Sequence, residues 1–379
     1  MIKDMAGIYL HIPFCKKKCH YCDFYRSIDT GKTGRFLQAL KKETELQKDY
    51  LDHRRVETIY FGGGTPSLLT AVQLRDILEN IKTHFDVSPD AEITVEANPD
   101  DINKLYLRDI KRAGVNRISL GIQSWNDRIL SFLNRRHTAA QAGQAIDDIL
   151  NSGINNISCD LIYGIPGMTT EQWAEDLRKT LATGIKHLSA YHLTIEPGTI
   201  FAKMKAAGEL KEIDETESEK QFNILVELSA EYGFTQYEIS NFCKENYFSV
   251  HNTNYWRQEP YLGLGPSAHS FNDDVRQWNI ADLSAYMRIV EKGEIPGKGE
   301  ILTEKDLYNE YIMTSLRTMW GTDLDLVEEK INKEARDYLS NLASRLIQYG
   351  MIERNDNILV LTTQGKMISD NIISELMMA

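Results

Sequence analysis

Tyr9-Leu10-His11-Ile12-Pro13-Phe14-Cys15-Lys16-Lys17-Lys18-Cys19-His20-Tyr21-Cys22 begins as a short apolar run and ends in three cysteines. The run reads as the first strand of the chain, and the cysteines follow it directly. Three thiolates at these spacings can wrap one face of a [4Fe–4S] cubane, which leaves one iron without a cysteine. An exogenous amino acid can chelate that iron. An electron passed from the reduced cluster into a chelated sulfonium would then cleave its C–S bond and release a carbon radical. Other readings explain less. A structural zinc site, even with His11 or His20 recruited, usually pairs two separated ligand knuckles. A redox pair of Cys19 and Cys22 leaves Cys15 idle. Covalent haem attachment wants a histidine where Asp23 stands. Three packing cysteines by coincidence is the weakest account.

Outward from this stretch, further β-rich apolar runs appear at Val56–Phe61, Glu92–Ala97, Arg117–Ile122, Ile157–Tyr163 and His187–Leu193. Segments with helical periodicity separate them: Phe36–Leu51, Leu74–Phe85, Lys104–Arg112, Ala139–Leu150 and Gln172–Thr183. Alternating strand and helix predicts a parallel α/β sheet, either a partial barrel or a doubly wound sheet, and periodicity alone does not choose. Beyond Ile195 the repeat fades, and the charge-dense Lys205–Gln221 reads as a solvated helix or connector. Thr235–Asn241 and the aromatic Tyr247–Phe271 still look packed. Pro296-Gly297-Lys298-Gly299 reads as a linker. Helical patterns at Glu304–Trp320 and Lys333–Tyr349, a hairpin at residues 350–361 and a helix after Thr363 then predict a winged-helix-like unit. The expected domains are residues 1–235, 236–298 and 299–379.

Bulk properties narrow the class. The 379 residues are 42% hydrophobic and 26% charged, an ordinary globular balance. Lys and Arg number 43 against 55 Asp and Glu, a net charge of −12. That sign argues against a broad nucleic-acid footprint, and the mixed charges of the C-terminal unit argue against DNA binding there. No apolar run approaches the roughly 18 residues needed to span a bilayer. Met1–Gly7 lacks the features of a secretory signal, so a reducing cytoplasm is expected. Five cysteines, three of them crowded together, do not suggest a disulfide framework. Cys159 lies in an apolar strand and reads as core; Cys243 has no assignment.

In a parallel sheet the chemistry collects beyond the carboxyl ends of the strands. Those ends carry Tyr9 and His11, Gly62-Gly63-Gly64-Thr65-Pro66, Glu96, Gln123, Asp160 and His192. The glycine run is neither a phosphate loop nor a dinucleotide fingerprint. Each residue alone could be a cap or a satisfied core group. Together they line the rim that carries the cysteines.

These residues match a known family. Tyr9–Cys15 with its cysteine spacing resembles the radical S-adenosylmethionine (SAM) branch that contains oxygen-independent coproporphyrinogen III oxidase. The resemblance continues through Gly62–Pro66, Glu96–Pro99, Gly121–Gln123, Asn134-Arg135, Asp160–Pro166 and Tyr261–His269. It implies a partial (β/α)6 barrel with a smaller C-terminal domain. It also implies a [4Fe–4S] cluster on Cys15, Cys19 and Cys22. SAM would be held by Tyr9, Gly63, Gly64, Thr65, Glu96, Gln123, Arg135 and Asp160, with backbone groups taking its aminoacyl end and carboxylates its ribose or ammonium.

Two departures count against the oxidases. They carry a further cysteine two residues after the third, where this chain has Phe24, and a substantial N-terminal extension, whereas Cys15 lies near the start here. Both departures resemble the haem chaperones of the same family. His251-Asn252-Thr253-Asn254-Tyr255-Trp256 matches a His-Asn-x-x-Tyr-Trp signature of those chaperones, whose histidine is associated with haem. A neutral imidazole is a good axial ligand, and on the residues alone a histidine packed into an aromatic segment is the competing reading. The resemblance implies haem as cargo at His251 and a haem-acceptor protein as partner. It leaves room for a homodimer and for peripheral membrane contact through that acceptor. The alternative implied activity is radical oxidative decarboxylation of coproporphyrinogen III to protoporphyrinogen IX.

Overall fold

All six expected strands of the first half form, and each pairs parallel to the next in a computed structural model that describes residues 5–378. They are β1 (Met5–Ile12), β2 (Arg55–Gly63), β3 (Val87–Ala97), β4 (Arg117–Gln123), β5 (Asn156–Tyr163) and β6 (His187–His192). The crossovers carry α1 (Thr33–Leu46), α2 (Ala71–His84), α3 (Lys104–Ala113), α4 (Asp127–Phe132), α5 (Ala139–Ser152) and α6 (Thr170–Leu181). This is the partial (β/α)6 barrel. Thr70, Thr138 and Thr169 start α2, α5 and α6 through reciprocal bonds with a glutamine three residues on, which satisfies amides that the first turn leaves open.

The next segment adds α7 (Ile200–Ala206), α8 (Glu215–Glu231), β7 (Thr235–Glu238), β8 (Asn241–Cys243) and α9 (Val250–Trp256). β9 (Tyr261–Leu264), β10 (His269–Asn272), β11 (Val275–Asn279), α10 (Leu283–Glu291) and β12 (Gly297–Ile301) follow. The strands join one twelve-stranded sheet, in the order β12-β11-β10-β9-β1-β2-β3-β4-β5-β6-β8-β7. Residues 205–221 hold the end of α7 at Ala206, a connector, and the start of α8 at Glu215. One expectation changes here. Pro296–Gly299 is not a linker but leads into β12, whose Gly297 pairs with Asn279. A side chain at Gly297 would meet the Trp278 carbonyl at 2.6 Å, so its glycine serves a close strand approach.

The sheet ends at Ile301. A second core begins at Tyr308, within α11 (Glu304–Ser315). It continues through β13 (Thr322–Asp323), α12 (Leu324–Lys330), α13 (Lys333–Gln348), β14 (Ile352–Asn355), β15 (Ile358–Leu361), α14 (Thr363–Met367) and α15 (Ser369–Leu376). Three antiparallel strands in the order β13-β15-β14 with flanking helices make the winged-helix-like unit.

The strands of the barrel are two-faced. On β4, Ile118, Leu120 and Ile122 join the apolar core, while Arg117, Ser119 and Gln123 reach the interior cavity. Alternation puts Glu92 and Glu96 of β3, Ser158 and Asp160 of β5, and His187 and Ser189 of β6 on that same inner face. The barrel interior is therefore polar.

Candidate functional site

The cysteine loop is a lasso tied at its base. Cys15 N donates to Ser27 O at 3.0 Å and Ser27 N to Pro13 O at 2.6 Å. Its far side is pinned to the end of α4. His20 N reaches Leu133 O at 3.2 Å, and Asn134 Nδ2 reaches Lys18 O at 2.6 Å. Each sulfur receives a different donor: Thr65 Oγ1 to Cys15 at 3.4 Å, Arg135 Nη1 to Cys19 at 3.6 Å, and Arg26 Nη1 to Cys22 at 3.3 Å. Burial pushes the Cys15 and Cys22 thiols up, so their ionisation calls for a positive partner such as iron.

The three cysteines open on a cavity of about 430 Å³. Gly63, Gly64, Thr65, Glu96, Gln123, Arg135 and Asp160 line it with them, so the structure gathers ten of the twelve residues expected at the cluster, SAM or haem. The glycines are required by the protein itself. Gly63 has φ +101°, and a side chain there would strike the His11 ring at 2.7 Å; one at Gly64 would strike the Ile12 and Phe14 carbonyls at 2.8 Å. Gln123 ends β4 beside a register shift, at φ 61°, an unusual conformation for a residue with a side chain. Arg135 Nη2 is bound by Asn98 Oδ1 at 2.5 Å and Gly121 O at 2.7 Å.

Glu96 accepts a hydrogen bond from Tyr60 at 2.9 Å, and its carboxyl is pushed up to about 7, chiefly by burial. Burial also raises Asp160, against which Ser119 donates at 3.1 Å to both oxygens. Tyr60, Ser119, Ser189, Tyr191 and Arg117 also line the cavity, and the sequence reading did not single them out. For Arg117 and Ser119 the signal is the period of two that leads back along β4 from Gln123; Tyr60, Ser189 and Tyr191 carry no such mark in the sequence. His192 lies on the rim, its Nε2 bound to Ser218 Oγ at 2.8 Å.

Two candidates stand apart. Tyr9 lies beneath the cavity, stacked on Tyr60 with centroids 6.2 Å apart, its hydroxyl 3.3 Å from His11 Nδ1. His251 is 2% exposed. Its Nδ1 meets Thr58 Oγ1 at 2.8 Å, its Nε2 meets the Tyr255 hydroxyl at 2.9 Å, and its ring stacks on Tyr60 at 5.0 Å. Burial pushes the imidazole down to about 3, so it is neutral. In this conformation the expected haem ligand offers no free nitrogen, and the residues around it do not fit an axially bound haem.

For the cluster and SAM the residues do fit. Thiols set around a cavity wall, each with its own donor, suit a cubane in which three irons take one thiolate each. The unpartnered Arg135 Nε is a buried polar atom in the wall of the same cavity.

Comparisons with known proteins bear on the family and the fold. The model of the radical SAM superfamily matches residues 9–180, and that of the HemN C-terminal domain matches residues 302–368. The chain is 33% identical over 376 residues to "Heme chaperone HemW" of Mycobacterium tuberculosis, covering 98% of this chain and 94% of that protein. It is 31% identical to "Heme chaperone HemW" of Bacillus subtilis, covering 97% and 98%. The structure of the Escherichia coli coproporphyrinogen III oxidase HemN superposes with a TM-score of 0.84 at 23% identity, over 98% of this chain and 89% of that one, a common fold. With relatives this similar along nearly the whole length, the chain belongs to the HemW family of radical SAM proteins.

Proposed function

We propose that this protein binds haem and hands it to an acceptor protein, under the influence of a radical SAM site. Cys15, Cys19 and Cys22 hold a [4Fe–4S] cluster; Gly63, Gly64, Thr65, Glu96, Gln123, Arg135 and Asp160 hold SAM, and Tyr9 backs Tyr60, the hydrogen-bond donor to Glu96. Such a cluster, when bound and reduced, supplies one electron to a chelated sulfonium. The protein's own part is to place donors on the sulfurs, to offer carboxylates to the ligand's hydroxyl or ammonium groups, and to wall the site from water. The observation that carries the reading is the single cavity onto which the three thiols and the two carboxylates open. Likeness to proteins named heme chaperones supports haem as the cargo. So does Phe24, 65% exposed at the cavity mouth, where the resembled oxidases carry a cysteine. Among the described residues no helix is long and apolar enough to cross a membrane, which agrees with a cytoplasmic protein that meets its acceptor in solution or at a membrane surface.

The test is anaerobic. Cluster-loaded protein with SAM, reductant and coproporphyrinogen III should yield no protoporphyrinogen IX, while a haem titration of the same protein should saturate near one haem per chain. Sustained conversion that is lost in Cys19→Ala would make it an oxidase and end the chaperone reading.

A further inference from the structure

The inner face of the barrel carries three carboxylates, Glu92, Glu96 and Asp160, and one fully buried arginine, Arg117, which is 1% exposed. Arg117 is poorly explained as a structural ion pair. Its Nε lies 3.8 Å from Glu92 Oε2, and Nε and Nη1 have no hydrogen-bond partner. Glu92 is already engaged elsewhere: its oxygens accept from the amides of Val250 and His251, at 3.2 and 3.1 Å, where α9 begins. A guanidinium buried for stability alone would be expected in a bidentate pair, because burying it without hydrogen bonds is costly. Arg117 instead reaches the wall of the SAM cavity, whose lining it shares with Ser119, Glu96 and Asp160.

Arg135, the other buried arginine of the cavity wall, is turned to Asn98, Gly121 and Cys19, so among the groups that act on Glu96 and Asp160 the positive one is Arg117. Tyr9, Tyr60, Tyr191 and Tyr255 are tyrosines pushed up by burial, as is the Cys159 thiol. His187 and His251 are pushed down and neutral. Arg117 acts on both carboxylates and opposes the burial that would protonate them.

We propose that Arg117 is a positioning residue of the SAM site: from the cavity floor it supplies the positive charge against which Glu96 and Asp160 accept hydrogen bonds from the ligand. The proposal rests on the reading of Glu96 and Asp160 as SAM-binding. Its signature is in pH. Without the guanidinium the two carboxylates keep their protons to higher pH, so SAM binding weakens at neutral pH and recovers in alkali.

The experiment is anaerobic calorimetry of SAM binding to cluster-loaded protein from about pH 6.5 to pH 9, a range that brackets the expected titrations. Arg117→Met strands Glu92 and could impair folding, so the double variant Glu92→Gln/Arg117→Met is measured beside it. Relative to wild type, which carries the ligand's own titration, both should bind SAM several-fold more weakly near pH 7 and approach wild type near pH 9, as expected when a carboxyl that titrates near 7 is pushed higher. An unchanged affinity at every pH, or a loss independent of pH, overturns the proposal. Asp160→Asn separates the two readings. If it weakens SAM binding while the Arg117 variants keep the wild-type profile, only the role of Arg117 falls. If Asp160→Asn leaves SAM binding intact, the pocket reading falls and takes the proposal with it.

Discussion

Both nitrogens of the His251 ring are engaged inside the protein, Nδ1 by Thr58 and Nε2 by Tyr255, and the ring lies flat on Tyr60. Removing it strands two hydroxyls and opens a hole under the barrel. His251→Ala should therefore destabilise the fold by about 2–4 kcal/mol, measured by urea unfolding of the apoprotein. A variant of unchanged stability that has lost haem affinity would instead make His251 a ligand and would refute the packing account. Glu43 gives a second test at this scale. Its carboxyl is fully buried in α1 and accepts from Tyr286 OH at 2.6 Å, Asn279 Nδ2 at 2.5 Å and Gly265 N at 2.8 Å, which fastens α1 to β11 and α10. Burial raises it to about 7 from 4.5. The folded state thus holds a proton that the unfolded state releases. The associated stability is complete below pH 4.5 and is lost as pH rises to 7. Glu43→Gln should flatten the stability profile across that window; a slope equal to wild type would show that Glu43 does not titrate there. In sequence Glu43 looks like one more charge on a helix, because its partners lie more than 200 residues away.

At the scale of elements, the cysteine loop depends on the turn after α4. Asn134 sits at φ 62°, a left-handed conformation that asparagine tolerates better than most residues, and from there ties Lys18 O. Asn134→Ala loses both the conformation and the tie, whereas Asn134→Gly loses only the tie. Loss of cluster absorbance to a chelator should be several-fold faster in both variants than in wild type, and fastest for alanine. Equal rates in all three would mean that the loop holds the cluster without α4. The long barrel elements were legible because alternation and helical periodicity survive in strands and helices packed on one core. Helical periodicity begins a few residues inside the true starts of α2 and α6, because the caps Thr70 and Thr169 lie outside the apolar stripe. The short α9 and β12 were not legible. Aromatic residues in a seven-residue helix carry little period, and glycines that permit strand contact look the same as glycines in a linker. The site shows the same division. Cysteine spacing and strand-end residues located the rim, while Arg117 and Tyr60, deeper along the same strands, required the register.

Across the whole molecule, the C-terminal unit has its own core but docks where the barrel sheet ends. Ile239 N donates to Arg317 O at 3.2 Å and Met319 N to Tyr237 O at 2.9 Å. Arg317 lies over the Trp256 ring at 4.7 Å and donates from Nε at 2.7 Å to Glu238, whose carboxylate also takes Asn241 Nδ2 at 2.6 Å. From this dock a polar chain runs inward: Tyr237 OH to His187 Nε2 at 2.7 Å, His187 Nδ1 to Ser158 at 2.8 Å, and Ser158 to Asp160 at 3.4 Å. Arg317→Ala removes a charge-assisted bond and a cation–π contact while leaving Glu238 partly satisfied. Its cost should be about 2–3 kcal/mol, and it should fall on the docking of the two units more than on either core. Hydrogen exchange followed by mass spectrometry checks this. Amides of the β14–β15 hairpin should lose protection while those of β2 and β3 stay protected, because each unit keeps its own apolar cluster. A uniform loss across both units would mean that they unfold as one body. The C-terminal unit would then be part of what holds Asp160 in place.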